Sequence, residues 1–174
     1  MIKMTGRKLA GWFLTLVFLM PSLVTAMQGA GVIMQDLDGA FHGLGEYTGQ
    51  GKWTVVMLWA SDCPVCNQEI GAYVKFYEAH QGRDAAVVGI SLDGAEKRED
   101  AGRFVTRHRV SFPNLIDEPR DVAQFYSAMT GQRWLGTPTF MVFAPDGARR
   151  GAQVGAVPPE VIEAFIARES VATQ

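Results

Sequence analysis

Trp59-Ala60-Ser61-Asp62-Cys63-Pro64-Val65-Cys66-Asn67-Gln68-Glu69 follows the apolar run Trp53 to Leu58 and opens a helical pattern, so it reads as a strand-to-helix junction. Cys63 and Cys66 are the only cysteines of the chain. A C-x-x-C at the end of a predicted strand places a dithiol at a helix N-terminus, where unpaired backbone N–H groups and the positive end of the helix dipole stabilise a thiolate. The thiolate is the nucleophile of disulfide exchange. Pro64 suits the first helical turn, where its missing N–H would have had no intrahelical partner.

Blander readings of the pair are weaker. Zinc would need further ligands, but there is no second cysteine pair, and His42, His80 and His108 are scattered without ligand spacing; no metal is expected. A purely structural disulfide between residues three apart closes so short a loop that it restrains the unfolded chain little. Two buried apolar thiols do not suit a stretch with Asp62, Pro64 and Asn67, which describe a surface turn. Redox chemistry is the strong reading.

The 174 residues, 48% of them hydrophobic, suffice for one domain with a substantial core. Residues 1–26 read as an export signal. Lys3, Arg7 and Lys8 form a basic start, Leu9 to Met20 an apolar run, and Val24-Thr25-Ala26 a cleavage site. The run is short for a spanning helix and is interrupted by Pro21, which favours a cleaved signal over a retained anchor. With either outcome the domain, residues 27–174, is expected to work in the periplasm or otherwise outside the cytosol. Removing the signal takes Lys and Arg from 16 to 13 against 18 Asp and Glu, a net charge of −5. No basic block interleaved with aromatics follows, which argues against a nucleic-acid partner.

Along the chain, Val32-Ile33-Met34 and Ala40-Phe41 flank the turn signal Asp36-Leu37-Asp38-Gly39 and predict an N-terminal hairpin. Leu44 to Gly51 is loop or a helical turn. Lys52 to Trp59 has little polar alternation and suits a central strand covered on both faces. A helix from Pro64 to about Ala79 presents Cys66, Ile70, Tyr73, Val74 and Tyr77. Ala85 to Leu92 reads as a second buried strand, and Ala95 to Arg109 as a charged helix with Ala101, Phe104, Val105 and a solvated or capping His108. Ser111 to Ile116 reads as a strand and Pro119 to Met129 as a helix. Thr139 to Ala144 and Gly151 to Val154 are strands joined at Pro145-Asp146-Gly147. A closing helix, Pro158 to Arg168, carries Val161, Ile162, Phe165 and Ile166, and the tail after Glu169 is expected to fray. This order implies an α/β domain with a mixed central sheet and helices on both faces.

From about Val32 to Arg168 the chain resembles the thioredoxin-fold thiol:disulfide oxidoreductases of the TlpA/ResA-like branch, which includes reductants of cytochrome c maturation. The residues that carry the resemblance are Asp36-Leu37-Asp38-Gly39, Leu58-Trp59-Ala60-Ser61, Cys63-Pro64-Val65-Cys66 with Glu69, and Gly136-Thr137-Pro138-Thr139-Phe140. It implies a thioredoxin-like fold in which the strand and helix between Ala95 and Tyr126 are the branch's insertion. It further implies that Pro138 is a cis-proline facing the dithiol, with Thr137 offering its backbone to an extended partner. Two positions depart from the family pattern. Asp62 stands where an aromatic residue is common, and the approach Ser127 to Leu135 is longer than usual.

The leading expectation is a reductase: Cys63 attacks a partner disulfide and Cys66 resolves the mixed disulfide. The redox-active pair is the only redox group required, and no other cofactor is expected. The partners would be a disulfide-containing exported protein and a membrane electron donor of thiol-reducing type. Glu69, three residues beyond Cys66 on nearly the same helix face, is expected to hold or pass the proton of Cys66. Trp59, Asp62, Pro64 and Val65 around the cysteines, Thr137 and Pro138 opposite them, and Arg133 and Trp134 just before are the expected partner contacts. Asp62 and Glu69 disfavour further negative charge, and no cation or histidine lies between the cysteines, which leans toward a reductant. Two alternatives come from other classes. A peroxiredoxin-type peroxidase would place its reactive cysteine near Cys66, but Cys63 occupies the site of the expected threonine. A copper chaperone would use both thiols as soft ligands, but no neighbouring His or Met motif accompanies them.

Overall fold

A computed structural model describes residues 31–172. The export segment expected at residues 1–26 lies outside the described residues, as do both ends of the expected domain 27–174. Among the described residues no helix is long and apolar enough to cross a membrane.

The chain runs through β1 (Ile33–Asp36), β2 (Phe41–Gly43), a short 3-10 turn at Leu44–Glu46, β3 (Trp53–Trp59), α1 (Pro64–His80) and β4 (Ala85–Ser91). It continues through α2 (Arg98–His108), β5 (Asn114–Ile116), α3 (Pro119–Thr130), β6 (Thr139–Phe143), β7 (Arg149–Val154) and α4 (Pro159–Ala172). The strands form one sheet in the order β2-β1-β5-β4-β3-β6-β7. β3, β4 and β5 are parallel, and the other pairings are antiparallel, which is the mixed sheet expected.

β3 lies inside the sheet with every residue buried, as its unbroken apolar run requires. Alternation then divides the core. Trp53, Val55, Met57 and Trp59 face Cys66, Ile70, Tyr73 and Phe76 of α1, Ala101 and Phe104 of α2, and Ile162 and Ile166 of α4. Val56 and Leu58 face the opposite layer, with Val122, Phe125 and Tyr126 of α3. Trp59 stacks on Phe104 at 4.4 Å, both fully buried. Truncating either ring to Ala would cost about 3–5 kcal/mol. Gly89 of β4 is required beside this pair, because a Cβ there would meet Trp59 Nε1 at 2.7 Å and collide with the Asn114 carboxamide.

Several boundaries differ from the expectations. In α1 the buried stripe is Cys66, Ile70, Tyr73 and Phe76, whereas Val74 and Tyr77 are only partly covered. α2 begins at Arg98, after a turn through Ala95 to Lys97. β5 is confined to Asn114–Ile116, because Pro113 has no N–H to give a ladder. The inserted segment between Ala95 and Tyr126 holds α2, β5 and part of α3, and β5 supplies the edge on which the β1–β2 hairpin pairs. α4 continues to Ala172 instead of fraying after Glu169. Trp53 Nε1 donates to Ser170 Oγ at 3.1 Å and ties that last turn to the sheet. Val161 points outward, 55% exposed.

Candidate active site

The strand registers assemble the site. Pairing of Leu58 with Thr139 sets Pro138 beside the end of β3, and pairing of Trp59 with Ser91 sets the residues after β4 beside the loop before the cysteines. The carboxyl ends of parallel strands are where open α/β sheets place their chemistry.

Cys63 is the N-cap of α1 and Pro64 its first residue. Sγ of Cys63 accepts the Cys66 N–H at 3.1 Å, so one unpaired donor of the first turn is directed at the outer sulfur. The two cysteines are joined as a disulfide with Cα atoms 5.2 Å apart. Cys63 is 8% exposed and Cys66 is fully buried. Of the two cysteines, only Cys63 keeps any exposed surface. The Thr137–Pro138 peptide is cis, as the resemblance implied, and the Thr139 hydroxyl donates to the Gly136 carbonyl at 2.5 Å.

The loop bearing Cys63 is gripped from beneath by Asp93, which is 8% exposed. Its carboxylate accepts the Ser61 N–H at 3.0 Å, the Ser61 hydroxyl at 2.7 Å and the Ser91 hydroxyl at 2.6 Å. On the helix side, Asn67 Nδ2 donates to the carbonyls of Cys63 (2.8 Å) and Ser61 (3.3 Å). Asp93 and Ser91 were not singled out from the sequence, and Asn67 was read only as part of a surface turn. The one signal for Asp93 was its place immediately after a predicted parallel strand.

The expected partner contacts divide. Pro64 and Val65 are exposed beside Cys63, and Asp62 is exposed with its carboxylate 3.5 Å from Lys97 Nζ. That exposed pair partly answers the negative charge expected to oppose a thiolate, although such pairs contribute only about 0–1 kcal/mol. Trp59 cannot be a partner contact and is corrected to a core residue: it is 0% exposed, and its Nε1 is spent on Asn114 Oδ1 at 3.1 Å. Its odd position in β3 turns it inward to Phe104.

Arg133 is exposed. Trp134 is half-buried against the α3 layer, and its Nε1 is buried with no hydrogen-bond partner among the described residues. Trp134 and Thr137 line one wall of a cleft of about 450 Å³ whose other walls include Ala60, Asp62, Asp93 and Lys97. Glu69 is half-buried on α1. Burial, with the charges of Glu69 and Glu160, holds the Tyr73 hydroxyl far above its ordinary range. That hydroxyl donates to the Val157 carbonyl at 2.7 Å.

His108, expected to be solvated or capping, is half-buried. Its Nε2 lies 2.9 Å from Asn67 Oδ1, and its ring is tilted against Phe104.

Comparisons with known proteins agree with this geometry. The sporulation thiol-disulfide oxidoreductase A of Bacillus subtilis is 23% identical over 115 residues, 66% of this chain and 66% of that protein. The chain thus spans just under two thirds of that relative. The thiol-disulfide oxidoreductase ResA of Halalkalibacterium halodurans is 26% identical over 139 residues, 80% of this chain and 73% of that protein. A secreted Mycobacterium tuberculosis disulfide oxidoreductase, described as homologous to Escherichia coli DsbE, superposes with a TM-score of 0.63 at 21% identity. That superposition covers 82% of this chain and 99% of the other, and it establishes the thioredoxin-like fold. The AhpC/TSA family model matches residues 28–150, most of the chain, and with the ResA-type relatives it bears out the resemblance read from the motifs. The chain belongs to the AhpC/TSA family.

Proposed function

We propose that this thiol-disulfide oxidoreductase works outside the cytosol as a reductant of disulfides in exported proteins. The observation that carries the reading is the asymmetry of the pair: Cys63 keeps a small exposed surface and receives an N–H at sulfur, while Cys66 is fully buried. In the reduced state the Cys63 thiolate attacks one sulfur of the partner disulfide, that S–S bond breaks, and one partner thiolate leaves. Cys66, deprotonated, then attacks Sγ of Cys63. The 63–66 disulfide forms, the second partner thiolate departs, and two electrons have passed to the partner. A membrane donor of thiol-reducing type would return them. Thr137 and Pro138 hold the partner segment in this scheme, with Asp62, Pro64, Val65, Arg133 and Trp134 around it. The cytochrome c maturation class of partner is represented by a disulfide-bonded C-x-x-C-H peptide.

Equilibration with glutathione tests the direction. A potential toward roughly −270 mV supports the reductant, and one near roughly −120 mV overturns it. Cys66→Ala should accumulate a mixed disulfide through Cys63, because attack is retained and resolution lost.

A peroxidase reading draws on the family's name and places its nucleophile near Cys66. The complete burial of Cys66 weighs against it. Peroxide consumption by the reduced protein, measured beside disulfide reduction, separates the two.

A further inference from the structure

Asn67 is held in one orientation by its neighbours. Its Nδ2 faces two backbone carbonyls, of Cys63 and Ser61, which can only accept, so Nδ2 must be the NH₂ end. Oδ1 therefore faces His108 Nε2 at 2.9 Å as an acceptor, which requires a proton on Nε2. His108 is the last residue of α2, and Arg109 follows in the left-handed region at φ 51°, so the helix end is sharply defined. The imidazole lies 4.5 Å from the Phe104 ring, which in turn stacks on Trp59 at the end of β3. A residue 41 positions away from Asn67 is thereby brought to the loop that carries the dithiol.

We propose that Asn67 and His108 form a positioning pair that sets the reactivity of Cys63 without touching either sulfur. The inference rests on the oxidoreductase reading above. Asn67 takes the Cys63 carbonyl twice, through its own N–H at 3.1 Å and through Nδ2 at 2.8 Å. That carbonyl belongs to the Cys63–Pro64 peptide, whose plane determines where the Cys63 side chain leaves the backbone. Holding the plane keeps Sγ on the Cys66 N–H, a hydrogen bond that is stronger to a thiolate than to a disulfide sulfur. The same Nδ2 holds the Ser61 carbonyl while Asp93 holds the Ser61 N–H, so the loop is fixed from both sides. Without His108, the amide is free to rotate away from the two carbonyls. The thiolate is then less stabilised, and the dithiol passes more readily to its disulfide.

The experiment measures the equilibrium constant with glutathione and the rate of Cys63 alkylation at fixed pH in the whole protein. His108→Leu retains packing on Phe104 but no donor, His108→Gln retains an N–H donor, and Asn67→Ala removes the strap. His108→Leu and Asn67→Ala are each expected to shift the constant roughly threefold to tenfold toward the disulfide, the scale of one net hydrogen bond. Alkylation should slow in parallel. His108→Gln should stay close to the parent, and the His108→Leu/Asn67→Ala double variant should shift no further than either single one.

The proposal is overturned if His108→Leu and His108→Gln behave alike, or if the single shifts add. Constants that stay within about twofold in folded variants overturn it too. If one histidine variant fails to fold, Asn67→Ala against the parent still decides by the same constant. Failure of the parent itself to exchange with glutathione would instead sink the oxidoreductase reading on which the inference rests.

Discussion

Asp93 holds Ser61 by its N–H and by its hydroxyl at once, at 3.0 and 2.7 Å, two residues before Cys63. The carboxylate is 8% exposed and also takes the Ser91 hydroxyl, so three donors converge on it. Asp93→Asn keeps the shape but turns an NH₂ group toward at least one of these donors. It should destabilise the fold by roughly 1–3 kcal/mol, the cost of leaving a buried donor unmet. Urea unfolding of the oxidised protein measures it; an unchanged midpoint would remove Asp93 from the support of the loop.

Glu69 lies on α1 close enough for its charge to act on Tyr73. A carboxylate one turn from Cys66 opposes a second negative charge, so Glu69→Gln should move the thiol titration to lower pH. If Glu69 also holds the proton of Cys66, resolution of the mixed disulfide should slow in the same variant. Thiol titration curves identical to those of the parent would sink the assignment.

Half-buried Trp134 lines the cleft with Thr137, and exposed Arg133 precedes it in the chain. Replacing them together, Arg133→Ala with Trp134→Phe, should lower kcat/KM for a disulfide-bonded protein or peptide by roughly tenfold, on the scale of a binding anchor. Reduction of a small aromatic disulfide should be spared. Equal losses on both substrates would indicate a damaged fold.

His42 sits between two carboxylates, with Nδ1 2.9 Å from Glu46 and Nε2 3.2 Å from Asp36. The hydrogen bond to Glu46, with that to Asp36, raises the imidazole above its ordinary value, although desolvation works against it. A histidine raised in the folded state contributes its stabilisation fully below the unfolded value of about 6.5 and loses it as pH climbs through the folded one. Glu46, lowered first by His42 and then by the Gly43 N–H, has the opposite sign, and its contribution is lost in acid. Urea midpoints should therefore decline from mildly acidic to alkaline pH, and His42→Gln should flatten that decline. A parallel decline in both proteins would refute the link.

The readings that survived contact with the structure concern neighbours in the chain. β3, α1 and the dithiol between them are written in an unbroken apolar run, a helical period and a proline at the first turn, all within 30 residues. The hairpins follow from turn residues between short apolar runs. The cis-proline was legible only through its motif, because periodicity and composition do not tell a cis from a trans X-Pro bond.

Where the reading failed, the missing quantity was a through-space distance. Trp59 has the composition of a docking residue and the position of a core residue, and only the pairing of β3 inside the sheet with α2 packed across it decides for the core. Asp93 reaches Ser61 because Trp59 and Ser91 are register partners, and His108 reaches Asn67 because α2 ends against the start of α1. The last turn of α4 is held by Trp53, 117 residues earlier. Local propensity and periodicity determined the elements and the place of the pair at a strand-to-helix junction, because those depend on residues that are covalent neighbours. Register and helix packing decided which side chains support the pair, because that depends on the burial of the whole core at once.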